Sequence, residues 1–107
     1  ETAGLVDDAW LDRLARRPIL INTSRGPIAS TAAVARALSA GRLSGVALDV
    51  LEEEGRDLLA LTNRSEGLTA LAADPRALLT PHVAGWTVES YVKLSNVLAD
   101  KVLRRFQ

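Results

Sequence analysis

GVALDV, residues 45 to 50, is a short apolar run interrupted by a single acid. Its length and its lack of a helical period read as a buried strand ending at Asp49. A carboxylate in such a run is costly to bury without hydrogen-bond donors. Asp49 therefore either accepts backbone N–H groups in a turn or receives an amide from a ligand. Strands of the same kind stand on both sides of it. PILINT, residues 18 to 23, is one, and it ends in the polar group Asn22, Thr23, Ser24, Arg25 and Gly26, where Pro27 forbids a regular continuation. RALLTPH, residues 76 to 82, holds the other at about 78–80, and it leads into His82.

Helical patterns separate the strands. In DDAWLDRLARR, residues 7 to 17, Asp7 or Asp8 can cap a helix with Leu11 and Leu14 on one face, and Pro18 stops it. Ser30 or Thr31 caps STAAVARALSAG, where Val34, Ala37 and Leu38 follow helical spacing and Gly41 closes the C-terminus. Leu58, Leu59, Leu61, Leu68 and Leu71 predict one or two short helices, broken around Asn63 and Gly67. A long helix over about 87–105 ends the chain. Alternating helices and strands predict an α/β fold with a parallel sheet. Such sheets bind ligands outside the carboxyl ends of their strands. Here those ends carry Thr23, Ser24 and Arg25, then Asp49 with Glu54 shortly after, then His82.

Composition narrows the chemistry. The 107 residues allow one domain at most, and 48% hydrophobic content allows a buried core. Thirteen basic and thirteen acidic residues balance, so nothing points to a nucleic acid or an anionic membrane as partner. With no cysteine, thiol catalysis, disulfides and cysteine-held metals are excluded, and one histidine excludes a multi-histidine zinc site. No apolar run approaches the roughly 18 residues of a membrane span. A cytoplasmic location is the expectation. The opening ETAGLVDDAW lacks Met and reads as mid-sequence, which predicts a segment of a longer protein.

Each polar residue taken singly also has a plain structural reading. Arg25 could be a surface charge, Glu54 one of a solvated triplet, and His82 a hydrogen-bonded core histidine. As a set they are chemically coherent. A guanidinium is a planar fork for a substrate carboxylate. A histidine beside a carboxylate can give a proton to a carbonyl oxygen and take it back. The matching hydride has no donor among the side chains, so a nicotinamide cofactor is implied.

INTSRG, GRLSGVALDVLEEE and LLTPHVAGWT resemble, in order, the carboxyl-terminal part of the NAD-binding domain of the D-isomer-specific 2-hydroxyacid dehydrogenases. That family includes phosphoglycerate, glycerate/hydroxypyruvate and D-lactate dehydrogenases. The resemblance covers essentially the whole chain. It implies a partial Rossmann-like parallel sheet, the second half, with a long C-terminal helix. Residues 1–107 would then be the carboxyl-terminal portion of an NAD(P)-binding domain. Residue by residue, it implies that Arg25 holds the substrate carboxylate, Glu54 orients and charges the histidine, and His82 is the acid/base. Asp49 would accept the nicotinamide carboxamide. Thr23, Ser24, Arg25, His82, Val83, Ala84 and Gly85 would line the nicotinamide end of the cofactor. The resemblance also implies NAD rather than NADP, a small 2-hydroxy or 2-oxo acid as substrate, and a homodimer in the full-length protein. The tail AGWTVESYVKLSNVLADKV makes 3-phosphoglycerate the first substrate to expect.

The chain departs from the family pattern in places. Gly55 stands where proline usually follows the glutamate, Ser30 where an acid is frequent, and the stretch 55–76 looks like an insertion. No GxGxxG fingerprint occurs, nor the acid expected about 20 residues beyond it, nor a substrate domain. Alone, the segment should bind NAD poorly. An NAD-sensing regulatory or corepressor module of the same fold is the alternative, which the intact set of Arg25, Glu54 and His82 disfavours. The family's last helix crosses back to the substrate domain. The stripe of Leu94, Val97, Leu98, Val102 and Leu103 is therefore expected to be only partly packed.

Overall fold

Three strands, β1 (Ile19–Asn22), β2 (Gly45–Leu48) and β3 (Ala77–Leu79), pair in parallel in the order β1-β2-β3. The structure is a computed structural model that describes residues 2–54 and 65–106. Register sets Leu20 beside Val46 and Val46 beside Ala77, and likewise Ile21 beside Ala47 and Ala47 beside Leu78. Because side chains alternate along a strand, these rows face opposite ways. Leu20, Val46, Leu48, Ala77 and Leu79 turn to the core, while Ile19, Ile21 and Leu78 stand exposed on the other face.

Helices α1 (Asp8–Asp12), α2 (Thr31–Ser39) and α3 (Glu66–Ala73) supply much of the rest of the core through Leu11, Val34, Ala37, Leu38, Leu68 and Leu71. Asp7 is the cap of α1, accepting the Trp10 N–H at 2.8 Å. That helix is shorter than the sequence pattern, closing at Arg13 and leaving the segment to Pro18 as a connection into β1. Ser30 caps α2, and Gly41 leaves it at φ +71, so that the Arg42 N–H returns to the Ala37 carbonyl at 2.9 Å.

Gly67 does not break a helix. It lies in the first turn of α3, behind the Ser65 cap, and a Cβ there would come within 2.9 Å of Ala32 Cα. Glycine lets α2 and α3 cross backbone to backbone. The helix predicted from Leu58, Leu59 and Leu61, and the break at Asn63, lie outside the described residues. So do residues 55–64 of the stretch read as an insertion.

Helix α4 (Val88–Phe106) starts with the Ser90 N–H bonded to Thr87 Oγ1 at 3.0 Å. None of its residues is buried, and the stripe Leu94, Val97, Leu98, Val102 and Leu103 is exposed along its length, with less packing than the partial packing expected. No helix among the described residues is long and apolar enough to cross a membrane.

Candidate active site

The site is assembled at the carboxyl ends of the strands. One residue beyond β2, the Asp49 carboxylate is buried, 5% exposed. Its Oδ1 accepts the Thr80 hydroxyl at 2.6 Å and the Val83 N–H at 2.9 Å, and its Oδ2 accepts the Ala84 N–H at 2.9 Å. Its main-chain carbonyl accepts the His82 N–H at 2.9 Å. Of the two readings of Asp49, donors in a turn is what the fold builds. Oδ2 keeps one acceptor position for a further donor, since a carboxylate offers about four. Burial works against the charge. The Thr80 hydroxyl, the Ala84 and Val83 amides and nearby His82 outweigh it and hold the Asp49 pKa below the ordinary carboxylate value.

Those bonds clamp residues 80–84 into a turn in which His82 adopts φ +55, the only left-handed non-glycine backbone among the described residues. The clamp directs the imidazole toward Glu54, with Nδ1 and Oε2 3.0 Å apart and both side chains mostly buried. Glu54 is itself held, because its Oε1 accepts the Leu51 N–H at 3.0 Å and its own N–H donates to the Leu51 carbonyl at 3.1 Å. Its neighbours are occupied elsewhere. Glu52 accepts the Thr31 N–H at 3.0 Å, and Glu53 bridges the hydroxyls of Thr31 and Ser65. Two of the three glutamates thus anchor the loop to helix N-termini, where carboxylates are favoured, and the third faces the histidine.

Arg25 stands at the same sheet edge, following β1. Its side chain is exposed, and Nη1 donates to the Ser24 carbonyl at 2.8 Å. Behind it, Gly26 packs so closely that a Cβ would lie 1.9 Å from the Leu51 carbonyl oxygen. Gly26→Ala must push apart the loops carrying Arg25 and Glu54. It is expected to cost about 1–3 kcal/mol in chemical denaturation, and an unchanged midpoint would contradict the close approach.

A cavity of about 260 Å³ opens between these elements, lined by Thr23, Ala47, Leu48, Asp49, Leu78, Thr80, Val83 and Ala84. Of the residues singled out in the sequence, Thr23, Asp49, Val83 and Ala84 line this hollow, and Glu54 faces His82. Ser24 and Gly85 are exposed on the flanking turns. Three contributors were missed: Asn22, Thr80 and Gly26 in its packing role. A polar residue at a strand end and a glycine after an arginine were visible, but neither signal names a partner.

A half-sheet of parallel strands with its polar groups gathered at their carboxyl ends is a nucleotide-binding α/β arrangement of the Rossmann type. The chain belongs to the family described as D-isomer specific 2-hydroxyacid dehydrogenase, NAD binding domain, which matches residues 1–84. It is 38% identical over 112 residues to 2-hydroxyacid dehydrogenase A of Aspergillus oryzae, covering 97% of this chain and 32% of that protein. Among solved structures it resembles D-lactate dehydrogenase with NAD+ from Lactobacillus jensenii, with a TM-score of 0.75 and 27% identity over 94% of this chain and 32% of that one. It also resembles an NADPH-dependent glyoxylate/hydroxypyruvate reductase from Sinorhizobium meliloti, solved with citrate, with a TM-score of 0.68 and 32% identity over 100% of this chain and 31% of that one. The chain thus spans about a third of the length of these relatives.

Proposed function

We propose that this chain is the carboxyl-terminal portion of the NAD-binding domain of a dehydrogenase that interconverts a 2-oxo acid and a D-2-hydroxy acid. The observation that carries the reading is the contact between His82 Nδ1 and Glu54 Oε2 at 3.0 Å, at the carboxyl edge of the sheet. A carboxylate can only accept, so Nδ1 carries the proton between them and the ring is fixed in that orientation. Nε2 is left to serve the substrate. It gives a proton to the carbonyl oxygen during reduction and takes one from the hydroxyl during oxidation. Arg25, with an exposed guanidinium, is the group for the substrate carboxylate.

The hollow fits the nicotinamide end of the cofactor. It is flanked by apolar Ala47, Leu48 and Leu78, and the remaining acceptor position of Asp49 suits a carboxamide N–H. Thr23, Ser24 and Val83 to Gly85 would border it. When bound, the nicotinamide supplies or receives the hydride. The glycine-rich fingerprint is absent from the sequence, so the pyrophosphate contacts belong to residues other than these. NAD is proposed over NADP, and 3-phosphoglycerate is the specific substrate proposed, on the character of the C-terminal helix sequence.

The test is NADH and NADPH oxidation by the full-length protein with a panel of 2-oxo acids, and NAD reduction with 3-phosphoglycerate. No turnover with any 2-oxo acid would end the dehydrogenase reading. Within an active enzyme, Arg25→Lys keeps the charge but loses the bidentate fork. It is expected to lower kcat/KM by about 10- to 100-fold, as for a lost charge-assisted hydrogen bond of about 1.5–3 kcal/mol. A value within twofold of the parent would remove Arg25 from substrate binding.

A further inference from the structure

Arg25 is presented to the site by a residue with no assigned part in it. Asn22 is the last residue of β1 and is 8% exposed. Its Oδ1 accepts the Ser24 N–H and its Nδ2 donates to the Arg25 carbonyl, both at 3.1 Å. Its own main-chain carbonyl accepts the Asp49 N–H at 3.0 Å. One side chain therefore closes the turn before Arg25, while the same residue's backbone ties that turn to the strand end that clamps His82. On the other flank, Gly26 is wedged against the Leu51 carbonyl, in the loop that holds Glu54. The Arg25 main chain is fixed on both sides, and its guanidinium is left exposed.

We propose that Asn22 is a positioning residue for substrate affinity, setting through the Arg25 main chain where the guanidinium starts relative to His82. This rests on the reading of Arg25 as the carboxylate-binding group. Two features of the asparagine matter. It is short enough to bond both Ser24 and Arg25, and it offers an acceptor and a donor at once. Aspartate has the same shape but has no donor for the Arg25 carbonyl. Serine keeps an acceptor for the Ser24 N–H, as in related turns, but its single, shorter hydroxyl does not also reach the Arg25 carbonyl.

The experiment uses full-length Asn22→Asp and Asn22→Ser, each shown folded by circular dichroism, beside Arg25→Lys. The readouts are KM for the 2-oxo acid, KM for NADH, kcat, and the inhibition constant of oxamate, a non-reacting carboxylate analogue. Displacing Arg25 while the cofactor side stays intact is expected to raise the oxo-acid KM and the oxamate constant about tenfold. The KM for NADH should stay within twofold. A purely structural asparagine would instead lower kcat with the folded fraction and leave both affinities unchanged, and that result would overturn the proposal. If Arg25→Lys weakens oxamate and neither Asn22 variant does, the positioning role alone fails. If Arg25→Lys leaves oxamate unaffected, the carboxylate reading of Arg25 fails and the role of Asn22 falls with it.

Discussion

On the proposed role of His82, His82→Asn in the full-length protein is expected to lower kcat by about 10²- to 10⁴-fold, the usual worth of a positioned acid/base, with the KM for NADH nearly unchanged. Asparagine is the informative replacement because of the backbone. His82 sits at φ +55, a conformation asparagine enters more readily than most side chains. The turn should therefore survive, held by the bonds that Asp49 receives from Thr80, Val83 and Ala84. What is lost is an atom that can both give and take a proton. Glu54→Gln should also lower kcat by about 10²-fold or more, because an amide that keeps its oxygen on the Leu51 N–H turns its NH2 toward His82 Nδ1, which removes the facing charge and disfavours the tautomer with the proton on Nδ1. Single-turnover measurement separates the chemical step from product release. A single-turnover rate for His82→Asn within threefold of the parent would take proton transfer away from this residue.

Asp49→Ala is expected to lower the stability of the chain by about 2–4 kcal/mol, a large part of the roughly 5–15 kcal/mol that holds a domain together. The lost interactions are three charge-assisted hydrogen bonds to a buried carboxylate. Val83 and Ala84 are exposed, so water recovers part of the loss at their amides. The Thr80 hydroxyl, beneath them, recovers less. Asp49→Asn should fall between, since its amide nitrogen cannot accept an N–H. The pH dependence follows from the depressed Asp49 pKa. The unfolded chain takes up the proton first, near the ordinary value of about 3.9. The stabilisation is therefore complete above that pH and is lost as pH falls through the lower, folded value. Thermal unfolding at neutral and strongly acid pH should show the parent losing more than Asp49→Asn on acidification. A Tm for Asp49→Ala within about 2 °C of the parent at neutral pH would mean that the turn is held by something else.

The strands were legible because they are short apolar runs that end in polar residues, and the parallel order followed from the helices between them. The Ser30 cap, the Gly41 exit and the extent of α4 were legible for local reasons, namely side-chain chemistry and period. Gly67 was misread because a glycine in a leucine-rich stretch looks like a breaker, whereas its purpose is the approach to Ala32, a contact made across the sequence. The glutamate triplet could not be divided by residue type, and Glu54 was singled out only by the family resemblance. Three adjacent carboxylates are alike until Thr31 and Ser65 occupy two of them. Asn22 looked like an ordinary turn residue, and Thr80 like the end of a strand. Their parts depend on Arg25 and Asp49 arriving beside them, which only the folded sheet arranges. Histidine enters left-handed backbone more often than most residues, but only rarely, and what selects it at position 82 is the set of bonds to Asp49.

The left-handed histidine also bears on how such a chain evolves. Holding a non-glycine residue there costs about 1 kcal/mol, which glycine avoids and asparagine reduces. On the proposed role of His82, mutation at position 82 is therefore biased, since the replacements that relax the backbone are the ones that would end proton transfer. Core positions such as Leu11 and Leu43, fully buried, are guarded by the folding of every descendant, active or not. His82, on the proposed reading, is guarded by turnover alone. In a lineage that kept this fold for binding but abandoned the reaction, the histidine should disappear before the leucines do, and glycine or asparagine in its place would mark the loss.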